Sequence, residues 1–127
     1  MKDPRELTDR QIEILDILWE RGEATANEVH AALERSTGLT RKTIGTLLHR
    51  LERQGVLAYR KDGREYRYRP RLSREDVRRA AVDGLVGGLF RGELPAMVSH
   101  ALEAGEVDAD DVRRIRELID EWTEAES

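Results

Sequence analysis

Residues 39–55, LTRKTIGTLLHRLERQG, hold the side chains best suited to binding chemistry. At 3.6 residues per turn Ile44, Leu47, Leu48 and Leu51 share one face at i, i+3, i+4 and i+7. Lys42, Thr46, His49 and Arg53 fall opposite, with no acid among them. A solvated helix ordinarily mixes charge signs, so this face suits phosphates and base edges. Arg41, Lys42, Thr43 and Thr46, near the helix start, are the candidates to reach bases: Lys or Arg would favour guanine, and a threonine methyl could meet that of thymine. Arg50 and Arg53 lie later in the helix and Lys61 and Arg64 beyond it, positions that suit phosphates, and Asn27 could add an amide contact to phosphate. Gly45 costs about 1 kcal/mol relative to alanine inside a helix. It would admit close approach of DNA, or of a neighbouring helix.

Catalysis has no comparable candidates. Cysteine is absent, which removes disulfides, thiolate nucleophiles and cysteine-built metal sites. His30, His49 and His100 are scattered and lack the i, i+4 pairing of a zinc helix. Ser99 and His100 are neighbours in sequence, so on a helix they point about 100° apart and form no nucleophile and base pair. The acid pairs Glu75-Asp76 and Asp110-Asp111 fit first turns of helices, where the dipole favours them. Neither an enzyme, nor a metal, nor a cofactor is expected.

The net charge of -4 opposes nucleic-acid binding only on average. Residues 1–71 hold 15 Lys+Arg against 12 Asp+Glu, net +3, and residues 72–127 hold 7 against 14, net -7. Residues 35–71 alone hold 11 bases and 3 acids. The positive footprint thus coincides with the basic helix and the hairpin sequence after it. No apolar run is long enough to span a membrane, and MKDPRELTDR lacks the apolar segment of a signal peptide, so the cytoplasm is the expected location.

The basic helix needs a scaffold, and its parts can be taken in chain order. Thr8-x-x-Gln11 and Thr25-x-x-Glu28 are capping boxes that open two helices. The first, through IEILDILWER to Gly22, is apolar nearly all round and should be covered on two sides, the second by the C-terminal part of the chain. Glu23 and Ala24 read as an extended link, and Val29, Ala32 and Leu33 as the buried stripe of the second helix. Thr40 caps the basic helix after a Gly38 turn, giving helix-turn-helix order. Beyond Gly55, VLAYR and REYRYRP are strands joined by a KDG turn, with Tyr66 and Tyr68 on one side and Glu65, Arg67 and Arg69 on the other. The fold class is mainly α with a small β-hairpin: a winged helix-turn-helix domain, residues 1–72, followed by a helical dimerisation region, residues 73–127.

That region begins at a Ser73-x-x-Asp76 cap. Ala80, Ala81, Gly84, Gly87 and Gly88 form either a small-residue face or a break at the paired glycines. Two further helices come next, LPAMVSHALEA and, from an Asp108 cap, ADDVRRIRELIDEWTEA. Three short amphipathic helices cannot bury one another's stripes, so a second copy is expected to cover them through Leu85, Leu89, Met97, Ile115, Ile119 and Trp122.

TIGTLLHRLERQG and RKDGREYRYRP, together with LTDRQIEILDILWERGEATANEVHAAL before them and MVSHALE at 97–103, resemble the penicillinase repressor family, the BlaI/MecI/CopY group of bacterial transcription regulators. The resemblance covers about residues 6–122. It implies a homodimeric repressor that binds a dyad operator through its winged domains and dimerises through its C-terminal helices. By that likeness Thr43 and Thr46 match threonines of the recognition motif, Arg50 and Gly55 its arginine and glycine, and Gly63-Arg64 its wing. The copper-responsive branch carries C-terminal cysteines that are missing here, and the β-lactam branch is cleaved at an Asn-Phe bond. In this chain Phe90 follows Leu89 and the only asparagine is Asn27, so copper release is not expected, the Asn-Phe bond has no counterpart, and the inducing signal is left open. The expected function is sequence-specific DNA binding by a transcriptional repressor, with a winged-helix protein-interaction module as the alternative. The partners expected are a double-stranded DNA operator and a second copy of the chain, with no identity assigned to any sensor or protease partner and no membrane insertion.

Overall fold

A computed structural model describes residues 2–126. Helix α1 (Asp9–Arg21) starts where Thr8 accepts the Gln11 amide N–H and the Gln11 side chain accepts that of Thr8, and α2 (Ala26–Thr37) starts in the same way from Thr25 and Glu28. Two of the four free amide groups at each helix start are thereby satisfied locally. Helix α3 (Arg41–Arg53) is capped by Thr40, and beyond it Gly55 adopts φ 80°, which favours glycine. Ile14, Leu15 and Leu18 from α1, Val29 from α2 and Ile44, Leu48 and Leu51 from α3 meet with Val56 and Leu57 in one buried core.

Strands β2 (Leu57–Asp62) and β3 (Glu65–Pro70) form the hairpin, with Leu57 opposite Pro70 and Asp62 opposite Glu65. Gly63 and Arg64 make a two-residue turn in which Gly63 takes φ 64°. Tyr59 packs edge-on against Tyr66, ring centroids 4.9 Å apart, and Tyr68 is buried. Within the extended link expected at Glu23 and Ala24, Ala24 opens a third strand, β1 (Ala24–Thr25), which pairs antiparallel with β3 through Ala24 to Tyr68 and Thr25 to Arg67. The sheet order is β1-β3-β2, so β3 lies in the centre and the wing is anchored to the start of α2. One departure is Ala32, which is exposed, leaving Val29 and Leu33 to make the α2 stripe. A 3-10 turn, Pro4–Glu6, precedes α1.

The second side of α1 meets the start of α4 (Arg74–Gly84). Trp19 Nε1 donates to the Leu72 carbonyl at 2.8 Å, the Arg74 guanidinium lies 5.4 Å from the Trp19 ring centroid, and Val77 is buried. The chain forms two compact units, one up to Val82 and one from Asp83 onward, so α4 begins within the first.

In the second unit α4 gives way to a π-helical turn (Leu85–Leu89), where the Phe90 N–H donates to the Leu85 carbonyl at 2.9 Å. The paired glycines, Gly87 and Gly88, thus widen the helix, and the chain then reverses at Arg91 and Gly92, both at positive φ. Helix α5 (Leu94–Glu103) accommodates Pro95 in its first turn, and α6 (Ala109–Glu126) opens where the Asp111 N–H donates to Asp108 Oδ1 at 2.8 Å. None of the described residues of this unit is buried, and Leu85, Leu89, Ile115, Ile119 and Trp122 are exposed while Met97 is half-buried. Among the described residues no helix is long and apolar enough to cross a membrane.

Candidate nucleic-acid interface

The start of α3 is built from short local bonds. The Thr43 N–H donates to Thr40 Oγ1 at 3.2 Å, and the two hydroxyls lie 3.1 Å apart. Thr46 donates its hydroxyl to the Lys42 carbonyl at 3.1 Å, the back-bond of a helical threonine. Lys42, Thr43, Thr46, His49, Arg50 and Arg53 are exposed, opposite the buried Ile44, Leu48 and Leu51. The two faces read from the spacing are therefore present.

The cations divide into two groups. Arg60 holds Glu23 through two bonds, at 2.6 and 3.1 Å, and Arg67 holds Asp62 at 2.7 Å and Glu28 at 3.3 Å. These arginines stiffen the sheet. Hydrogen bonding from Arg60 lowers the Glu23 carboxyl below its ordinary range, and Arg67 does the same to Asp62. Glu28 is lowered chiefly by the N–H and hydroxyl of Thr25, with Arg67 adding its charge. Lys42, Arg50, Arg53, Lys61 and Arg64 form no ion pair among the described residues. Their charge is uncompensated and exposed, the condition a phosphate-binding group needs.

Asn27, Arg41 and Arg64 line one cleft of ≈ 320 Å³ with Gly45, Glu65 and Tyr66, whereas Lys42, Arg50, Arg53 and Lys61 lie outside it. Arg41 Nε donates to Asn27 Oδ1 at 2.7 Å, and Asn27 Nδ2 donates to Glu65 Oε1 at 3.1 Å. Asn27, expected to offer its amide to phosphate, has both ends of that amide engaged within the protein. Sequence reading missed this connection, because its members are 14 and 38 positions apart and share no periodicity. Gly45 lies beneath Arg41: a Cβ there would come within 2.8 Å of Arg41 Nη1. The glycine thus makes room for a side chain of its own helix.

No cluster of three or more His, Asp or Glu side chains suited to a metal ion occurs among the described residues. His100 packs its ring 5.7 Å from that of Phe90.

Comparison with known proteins places these features in a lineage. The penicillinase repressor family model matches residues 7–121. The penicillinase repressor of Bacillus licheniformis is 26% identical, over 95% of this chain and 94% of its own. The transcriptional regulator BlaI of Mycobacterium tuberculosis is 33% identical, over 85% of this chain and 80% of its own. Among solved structures, the DNA binding domain of the repressor BlaI superposes with a TM-score of 0.53 at 32% identity, covering 60% of this chain and 93% of the domain. The exposed basic helix, the wing and this likeness along nearly the whole chain agree: the protein belongs to the penicillinase repressor family of winged-helix, DNA-binding transcriptional repressors, and is not an enzyme.

Proposed function

We propose that this chain represses transcription in the cytoplasm as a homodimer, each protomer placing α3 in the major groove of one half of a dyad operator. The observation that carries this reading is the exposed, uncompensated set of Lys42, Arg50, Arg53, Lys61 and Arg64 around the first unit's helix and wing. Arg50, Arg53, Lys61 and Arg64 hold phosphate and fix the register; Arg41, Lys42, Thr43 and Thr46 face base edges. The division follows position, since the first turns of a recognition helix enter the groove.

Dimerisation through residues 73–125 is supported by the apolar side chains that the second unit leaves uncovered. Leu89 is 76% exposed, Trp122 67% and Ile119 57%. Each such side chain gains roughly 1.5–3 kcal/mol on full burial, and a second copy offers the same surface in return. The acids of the C-terminal half would then be carried by a dimer body, and the basic residues by its two reading heads.

The test is equilibrium binding to a duplex selected by the chain from a random-sequence pool. With about eight phosphate contacts per dimer, four from each protomer, affinity should fall on the order of 10³–10⁵-fold between roughly 50 and 200 mM salt. A shallow salt response without sequence preference would favour a winged helix that meets protein instead.

A further inference from the structure

We infer that Asn27 and Glu65 are positioning residues that aim Arg41 at one base of the operator, and that Gly45 is the space in which Arg41 is aimed. This deepens the DNA-reading proposal and rests on it. Asn27 stands in the first turn of α2, Arg41 begins α3 and Glu65 begins β3, so the connection joins all three elements that meet at the interface. Its direction is unambiguous. Arg41 Nε can only donate and the Glu65 carboxylate can only accept, so the Asn27 amide must turn its oxygen to Arg41 and its nitrogen to Glu65, as the 2.7 and 3.1 Å contacts have it.

The consequence is chemical. With Nε engaged, Arg41 has its two terminal amino groups left, the pair that spans guanine O6 and N7 end-on. A free arginine samples many rotamers and loses that entropy on binding; one braced beforehand loses less and tolerates fewer wrong bases. Gly45 completes the arrangement, because any Cβ there meets Arg41 Nη1 at 2.8 Å and forces the guanidinium elsewhere. Helical propensity is given up at a position where a side chain would displace the reader.

The test compares discrimination between the selected duplex and its single-base-pair variants for the full chain and its substitutions. Arg41→Ala should lose about tenfold discrimination at one base pair. Asn27→Ala should lose most of the discrimination at that same base pair, keep the wild-type melting temperature, and add nothing further in an Arg41→Ala background. Glu65→Gln, which keeps an acceptor for Asn27, should retain the preference that Glu65→Ala weakens. Gly45→Ala should disturb the same base pair and no other. The inference is overturned if Asn27→Ala leaves the preference intact, weakens all duplexes evenly, or adds to Arg41→Ala. Unchanged preference in Gly45→Ala overturns it too. A wild-type chain that selects no sequence would instead sink the DNA-reading proposal itself, which separates the two failures.

Discussion

Thr46 and Arg64 show how differently two side chains at one interface should behave. The Thr46 hydroxyl hydrogen is already given to the Lys42 carbonyl, so the methyl group and the oxygen lone pairs remain for DNA. Thr46→Ala should therefore weaken preference at one base pair by about 1 kcal/mol, and Thr46→Val, which keeps a methyl, should retain any thymine preference. Arg64 sits in the hairpin turn without an ion pair among the described residues. Arg64→Ala should weaken all duplexes alike and reduce the salt slope by about 1 per protomer. Equal behaviour of the two variants in competition binding would contradict the division. Gly45 offers a third case, with stability and reading opposed: Gly45→Ala should raise unfolding stability by up to about 1 kcal/mol in denaturant titration, because the obstructing group is an exposed guanidinium that can swing aside at the expense of its bond to Asn27.

At the scale of elements, paired charges hold the wing hairpin both within itself, through Arg67 and Asp62, and to the chain before it, through Arg60 with Glu23 and Arg67 with Glu28. Glu23, Glu28 and Asp62 are carboxyls whose folded pKa values lie below their unfolded ones. Their contribution to stability is complete above the ordinary carboxylate range and is lost as pH falls through the lowered values. The melting temperature should thus decline below about pH 4.5, and Glu23→Gln with Asp62→Asn should flatten that decline. A steeper decline in the double variant would contradict the assignment. The pairs are exposed, so the effect should be modest. Legibility from sequence divides along the same line between local and distant partners. Thr8, Thr25, Thr40, Ser73 and Asp108 caps were legible because a cap and its amide partner lie three positions apart. The turn at Gly63 and the two faces of α3 were legible through spacing. Strand β1 was not, since two residues carry no alternation and their partners, Arg67 and Tyr68, are more than 40 positions away. Nor was the bracing of Arg41, which depends on where β3 lies. The paired Gly87 and Gly88 suited either close packing or a break, and the π-turn shows a third resolution in which the helix widens before reversing.

For the whole molecule, the start of α4 bears on how the two tasks can be separated. Val77 is buried and Arg74 covers Trp19, so a fragment ending after Val82 should stay folded and be monomeric, with weak binding to a half-site. Ile119→Asp with Trp122→Asp in the full chain should give the same monomer by sedimentation, since both substitutions put charge on an uncovered apolar face. A dimeric fragment ending at Val82 would place the interface elsewhere. The basic reading unit and the acidic helical unit then have complementary parts: one supplies contacts, the other supplies the second copy that makes weak contacts sufficient. The most direct measurement is stoichiometry with footprinting on the selected duplex. Two chains should bind per duplex and protect two inverted half-sites about one helical turn, or a multiple of it, apart. One chain bound per duplex, with a single unsymmetrical footprint at full affinity, would contradict the account.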